Sequence, residues 1–282
     1  MTFENHLPEA PIAEHIEAIF HFKDFMPDHS IERVVPTGHI FLLFELDGIP
    51  RNTFENETLL PLETFTKVWV SGMHKQYISI SAHERSEMFV IQFKAAGAFP
   101  FFHFPIHEIN EKVVPAERLL GKEVLDLHTA LLEASDSKAK FAVAENWLQK
   151  RYQSEKVPNA TITTMIEELK KAPSLNGQEL NRLVQAYPHT QKHLIDQFKK
   201  YVGLTPKFYQ RILRFNEILA QIHQKKKLSW TQISYNCGYA DQSHFIKEFK
   251  RFSGFNPEEF IQQNFTNEEI NFFPLDREET DK

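Results

Sequence analysis

One stretch of this chain is written twice, and that constrains the fold more than any other feature. Residues 193–209, HLIDQFKKYVGLTPKFY, return 51 positions later as HFIKEFKRFSGFNPEEF at 244–260. His193/His244, Ile195/Ile246, Phe198/Phe249, Lys199/Lys250, Gly203/Gly254 and Pro206/Pro257 are identical pairs, and Lys200/Arg251 and Tyr201/Phe252 are close ones. An internal repeat fixes architecture first, because each copy must fold as the same unit. Two copies are too few to stack into a solenoid, so they form a tandem pair.

Each copy carries the start and stop signals of a helix. Leu194, Phe198 and Tyr201 recur at i, i+4 and i+7, as do Phe245, Phe249 and Phe252, giving one apolar stripe per helix. Thr190 and Asp241 stand where an N-cap oxygen accepts from first-turn N–H groups. Gly203 and Gly254 stand where a helix end needs a left-handed residue. Thr205-Pro206 and Asn256-Pro257 then supply a new cap followed by proline at the first helical position. Opposite the stripes lie Lys192, Asp196 and Lys199 in one copy, and Ser243, Lys247 and Lys250 in the other. The buried faces match and the outer faces differ, as in two copies that share a fold and read different things.

With 282 residues the chain has room for two domains. No apolar run approaches membrane-spanning length, and the N-terminus lacks the basic flank and apolar core of an export signal, so a cytoplasmic location is expected. The single cysteine, Cys237, rules out an intrachain disulfide and a cysteine-rich zinc site. Charge is unevenly placed. Residues 157–263 hold 15 Lys+Arg against 9 Asp+Glu, residues 1–156 hold 15 against 23, and residues 264–282 hold 2 against 6. A basic block beside an acidic one suggests that only the former meets a polyanion, although a solvated helical surface would look the same.

Taken in order, the pattern is α+β. Residues 1–93 read as β-rich, with strands expected at Ile16–Phe22, Ile40–Leu46, Lys67–Val70, Tyr77–Ser81 and Met88–Phe93, separated by Pro, Gly, Asn and Asp turns. Such strands suggest a sandwich or small barrel. Residues 95–109 suggest a short helix or loop closing one end. Helical spacing begins at Glu123 and makes two helices within 123–151, broken near Ser135-Asp136-Ser137. The polar stretch 153–159 is the expected linker. Beyond it, helices are expected near 160–171, 177–186, 190–202, 206–224, 229–236, 241–252 and 257–263. The long helix from Pro206 ends in Lys225-Lys226-Lys227 and joins the two repeat units. The acidic tail 264–282 is weakly patterned and expected to be disordered. The expected division is therefore a β-rich domain over 1–156, an all-α domain over 157–263 and a tail.

A helix, a tight turn and a second helix with a cationic outer face is helix-turn-helix geometry, in which the second helix enters the major groove. The expected pairs are 177–186 with 190–202, and 229–236 with 241–252. Here the chain resembles the AraC/XylS transcriptional regulators. ISYNCGYADQSHFIKEFKRFSGFNPEEF (233–260) is similar to that family's signature almost residue for residue, and VGLTPKFYQRILRF (202–215) is similar to its interdomain helix. The N-terminal stretches VVPTGHIFLLFELDG (34–48) and FVIQFKAAGAFPFFHFPIHEI (89–109) resemble the cupin-like domain of a less studied branch. The resemblance implies a regulator, most simply an activator, that binds double-stranded DNA and meets RNA polymerase. It also implies a possible small-molecule effector in the N-terminal domain and a possible homodimer. By position it implies base contacts from Gln191, Lys192 and Ile195 with Lys199 on phosphate, then from Gln242, Ser243, His244 and Lys247 with Lys250 and Arg251 on phosphates. Asp196 departs from the arginine common there. It suits a cytosine amino group, or a salt bridge to Lys192 or Lys200 at i±4, and the salt bridge is the favoured reading.

Competing readings are weaker. Fourteen histidines invite a metal, and a cupin-type metal-dependent enzyme carrying a nucleic-acid tether is the runner-up. That enzyme would need a metal triad or a convergent carboxylate site; the HxH motif by which cupin enzymes are usually recognised is absent, and Pro105 interrupts the His103/His107 spacing. No phosphate loop or nucleophile motif occurs, so no catalytic residue, metal or cofactor is expected. His244 suits either a DNA contact or a structural role at a helix start, and Cys237 suits core packing. The aromatics Phe41, Phe44, Trp69, Phe89 and Phe93 suit either a ligand pocket or a solid core. The helices at 123–151 suit a dimer seam, or a cover for the barrel.

Overall fold

A computed structural model describes residues 1–173, 182, 184–224, 230, 239, 241–263, 265 and 271–276. Its N-terminal part is built from two antiparallel sheets. The first has six strands in the order β1-β2-β9-β4-β7-β10, comprising β1 (Thr2–His6), β2 (Ile16–Phe25), β4 (Ile40–Glu45), β7 (Val68–Ser71), β9 (Ser86–Phe93) and β10 (Val113–Pro115). The second has five, in the order β11-β3-β8-β5-β6, comprising β3 (Ile31–Val34), β5 (Arg51–Phe54), β6 (Pro61–Phe65), β8 (Ile78–Ser81) and β11 (Phe272–Pro274).

The expected strands all fall on real ones, and two of the further strands share a reason for being missed. β1 and β6 are edge strands whose side chains are mostly exposed, so neither alternates in hydrophobicity. Pro61 opens β6, a position that needs no ladder N–H.

Period-two alternation settles the question of pocket or core, because successive strand residues face opposite sides. Phe44, Phe89 and Phe93 point to the side covered by helices, where they join the main hydrophobic cluster. Phe41 and Trp69 point between the sheets, with Phe20, Phe22, Leu43, Met88 and Val90, where a smaller cluster leaves a cavity of about 180 Å³. One face is a filled core and the other borders a cavity.

The helical cover follows. α1 (Phe99–Phe102) and a 3-10 turn at Ile106–Ile109 close one end, α2 (Glu117–Leu120) follows, and α3 (Glu123–Glu133) and α4 (Ser137–Arg151) pack on the six-stranded sheet. Asp136 caps α4 by accepting from Ala139 N at 2.8 Å. Val124, Leu127 and Leu131 of α3 and Phe141, Ala144 and Leu148 of α4 are buried, with Phe141 against Phe89 at 5.7 Å. These helices cover the sheet, and Leu132 is the large apolar residue they leave exposed. The stripe that suggested a dimer seam is thus occupied within the chain.

The linker stretch holds a 3-10 turn at Ser154–Lys156, and Asn159 caps α5 (Ala160–Lys171) by accepting from Ile162 N at 3.1 Å. Then come α6 (Gln191–Val202), α7 (Pro206–Gln224), α8 (Gln242–Ser253) and α9 (Pro257–Gln262). The 19 residues of α7 make a rod about 28 Å long. Its Phe215 meets Phe249 and Phe252 of α8 at 5.5 and 5.1 Å. One hydrophobic cluster runs through both parts of the chain, from Ile12 to Phe273.

The tail corrects the sequence reading. Where disorder is expected over 264–282, Phe272–Pro274 add an edge strand to the five-stranded sheet, pairing Phe272 with Val34 and Phe273 with Arg33. Three residues are too short to show a period, and the acidic surroundings masked two adjacent phenylalanines whose partners lie more than 200 positions away.

Candidate nucleic-acid interface

α6 and α8 are built alike, as the repeat requires. Thr190 accepts from His193 N at 3.2 Å and Asp241 from His244 N at 2.8 Å, each satisfying an otherwise unpaired first-turn donor. Gly203 (φ 93°) and Gly254 (φ 78°) end the helices in the left-handed region. Leu194, Phe198 and Tyr201, and Phe245, Phe249 and Phe252, are buried.

The proposed reading residues fall mostly on open faces. Gln191 and Lys192 are exposed at the start of α6, while Ile195 and Lys199 are half-buried. On α8, Gln242, Ser243, His244, Lys247, Lys250 and Arg251 are all exposed. The second helix therefore offers the more complete reading face. His244 sits at the helix start with its backbone N–H capped by Asp241, its ring edge-on to Tyr239 at 5.4 Å, and half its side chain open to solvent.

Asp196 does not make the favoured salt bridge. Among the described residues no ion pair reaches it within 4.0 Å, and Lys200 instead lies over the Phe99 and Tyr201 rings at 5.0 Å each. A cation resting on a ring face inside the interdomain crevice is partly shielded from water, which strengthens that contact over an exposed i,i+4 pair.

Sequence reasoning missed the residue that anchors α8. The Glu248 side chain is 1% exposed, accepts from Arg211 Nε of α7, and accepts from Tyr239 Oη at 3.0 Å. The signal was present: Glu248 lies three residues after Phe245 and four before Phe252, so it falls on the apolar stripe. A carboxylate there is kept buried only by partners. The first copy has Gln197 at the matching position.

The expected first helices, 177–186 and 229–236, fall largely outside the described residues, as do Cys237 and Lys225-Lys226-Lys227. Trp230, from the second of these stretches, packs on Phe245 at 5.6 Å.

The N-terminal domain reaches both reading units. The Asn110 side-chain amide donates to the carbonyl oxygen of Gly203, and Asn216 Nδ2 donates to Pro36 O at 3.2 Å. Arg251 Nε donates to Lys75 O at 3.1 Å. Arg33 lies over the Tyr77 and Phe255 rings, 4.7 and 4.4 Å from their centroids. Lys247, Lys250 and Arg251 share an open cleft of about 400 Å³ with Glu55 and Glu57 of the β5–β6 turn. Glu55 and Glu57 thus line the same cleft as the phosphate-binding candidates of α8, with the Glu55 carboxylate accepting from the backbone N–H groups of Glu57 and Thr58 in its own turn.

His103 and His193 have partners within the chain. His103 Nε2 donates to the carbonyl oxygens of Pro100 and Arg151, at 3.0 and 2.9 Å. His193 bonds Tyr187 Oη at 2.9 Å. Among the described residues, no group of three or more His, Cys, Asp or Glu is placed to hold a metal ion, and no helix is long and apolar enough to cross a membrane.

Two similarly capped helices, each with a buried aromatic stripe and a polar outer row, joined by a long helix, are the described part of the expected helix-turn-helix pair. Residues 183–263 match the model of a helix-turn-helix domain, and residues 4–115 match that of a domain of unknown function (DUF6597). The chain is 33% identical over 73 residues to the HTH-type transcriptional activator RhaS of Pectobacterium carotovorum subsp. carotovorum, covering 26% of each protein. It is 36% identical over 66 residues to RhaS of Escherichia fergusonii, covering 23% of each. The chain therefore spans about a quarter of the length of the curated relatives it matches. Apo ToxT from Vibrio cholerae overlays 86% of this chain and 97% of its own, with a TM-score of 0.45 and 12% identity, too distant a likeness to carry functional inference. Over residues 183–263 the chain therefore carries a helix-turn-helix domain, similar in sequence to part of those transcriptional activators.

Proposed function

We propose that the chain is a sequence-specific regulator of transcription that places α6 and α8 in successive major grooves of double-stranded DNA. The observation that carries this reading is the pair of matched caps and stripes with unlike polar outer rows. Gln191, Lys192, Gln242, Ser243, His244 and Lys247 are the base-edge candidates, with Ile195 suited to a thymine methyl. Lys199, Lys250 and Arg251 are the phosphate candidates, which position the module without reading sequence. The relatives matched over this module are named transcriptional activators, which supports activation, with RNA polymerase as partner and the cytoplasm as location. The intersheet cavity is the place for a small-molecule effector. A homodimer, if formed, needs a surface other than the buried stripes of α3 and α4.

Selection of binding sites from a random duplex library, followed by salt titration, tests the reading. An asymmetric site should emerge, with log K falling linearly in log salt by about 0.9 per phosphate contacted. Failure to enrich any sequence, or affinity independent of salt, would sink it.

A further inference from the structure

The turn into α6 gathers the rings of Tyr187, His189 and His193. The two imidazoles lie 4.9 Å apart between centroids, at an interplanar angle of 69°, and both histidines are exposed. Tyr187 is buried beside them. Its ring lies 5.8 Å from that of His193 and within 24° of parallel, and its Oη is 2.9 Å from His193 Nδ1. Thr190 accepts from His193 N, which fixes the bend between His189 and the first turn of α6.

This spacing matches two imidazoles on one metal ion. A zinc-sized ion about 2.0–2.1 Å from each ring nitrogen sits about 3.2 Å from each ring centroid. Ligand angles of about 90–110° then put the centroids about 4.5–5.2 Å apart. The observed 4.9 Å falls inside that range. With the proton on Nδ1, His193 donates to Tyr187 Oη and keeps the Nε2 lone pair free, which is how ligating histidines are ordinarily oriented. His189 touches Tyr187 and His193 by ring contact and makes no hydrogen bond among the described residues. The positive end of the helix opposes a cation here by about two- to fivefold. Asp196 offsets it, lying three positions beyond His193 on the same side of α6, exposed and without an ion pair among the described residues. The second copy lacks the pair, since Ala240 stands before His244 where His189 stands before His193.

We propose that His189 and His193 hold a zinc-class dication, with water in its remaining positions, and that the bound ion strengthens the grip of α6 on DNA. Imidazole nitrogen suits zinc, copper and nickel, and magnesium prefers oxygen. The ion adds two positive charges beside Gln191 and Lys192, where a phosphate would approach. The grip on DNA rests on the DNA-reading function, and the metal site does not.

Zinc chloride titrated calorimetrically into the metal-free full chain tests the site, and affinity for the selected duplex with and without zinc tests the output. Wild type should bind one zinc ion at least tenfold more tightly than His189→Ala or His193→Ala. Tyr187→Phe, which keeps the ring and loses the hydrogen bond, should weaken zinc about tenfold, and Asp196→Asn about threefold. His107→Ala, which removes an exposed histidine elsewhere, should match wild type, and magnesium should not bind. Zinc should tighten duplex binding about three- to tenfold in wild type and leave His189→Ala unmoved. Equal zinc affinity in wild type and His189→Ala, or an equal loss in His107→Ala, would overturn the site. Zinc held by the pair with duplex affinity unmoved would overturn the output. Absence of duplex binding with or without zinc would instead reject the DNA-reading function, while the calorimetry still decides the metal site.

Discussion

Glu248→Ala separates what holds the second reading helix in place from what reads DNA. The Glu248 side chain is 1% exposed and takes a charge-assisted hydrogen bond from Arg211 and another from Tyr239. Two such bonds are worth roughly 1.5–3 kcal/mol each. Removing the carboxylate also ends its desolvation penalty, and Arg211, 27% exposed, can turn to water. A net loss of about 2–3 kcal/mol remains, which a urea titration followed by Trp230 fluorescence should read as a lower midpoint with an unchanged slope. A fold holding about 5–15 kcal/mol survives that loss, so duplex affinity should change less than about threefold. Lys247→Ala makes the opposite pattern: stability within about 0.5 kcal/mol of wild type, and about 1–3 kcal/mol lost in duplex affinity with relaxed preference at one base pair. An unchanged unfolding midpoint for Glu248→Ala would refute the anchoring argument. A Lys247→Ala protein with unchanged site preference and affinity would refute the reading role.

Gly203→Ala places a Cβ at φ 93° and 2.7 Å from Asn110 Oδ1, and should cost about 1–3 kcal/mol in thermal unfolding. Pairing it with Asn110→Ala should recover the steric part and leave the backbone part, and full additivity would show that the two residues do not touch. Burial lowers the His74 pKa to about 4, so the folded state stays neutral while the unfolded state binds a proton below 6.5. That contribution is complete above pH 6.5 and lost as pH falls towards 4. Its full size would be about 3 kcal/mol, and roughly half is expected because the half-buried ring keeps some solvent contact. His74→Gln should flatten unfolding stability over that window, and an unaltered pH profile would contradict the assignment. Asp196→Ala should leave duplex affinity unchanged or slightly higher, since an exposed carboxylate repels phosphate. A large loss with the fold intact would mean that Asp196 accepts from a base.

Local signals were legible without the structure. Caps, stripes and terminal glycines act over four or five residues, so the repeat alone located α6, α7 and α8 and the outer row of α8. Alternation likewise located β2, β4, β7, β8 and β9, whose inward residues are apolar by necessity. The edge strands β1 and β6 escaped notice because nearly all of each faces water, which imposes no alternation. Asp196 was assigned a partner by spacing, but which cation pairs depends on what else that cation can reach, and Lys200 reaches Phe99, more than 100 positions earlier.

The sequence by itself determined that two equivalent helices exist, where they begin and end, and which face of each is apolar, because those properties follow from backbone hydrogen bonding and a period of 3.6. Only the tertiary structure decided that Phe41 and Trp69 line a cavity while Phe44, Phe89 and Phe93 fill a core. It alone decided that Glu248 is an anchor, that Glu55 and Glu57 share a cleft with the basic end of α8, and that the acidic tail returns to pair with β3. Each of these joins residues far apart in the chain, where burial and pairing depend on which surfaces meet and not on any local pattern.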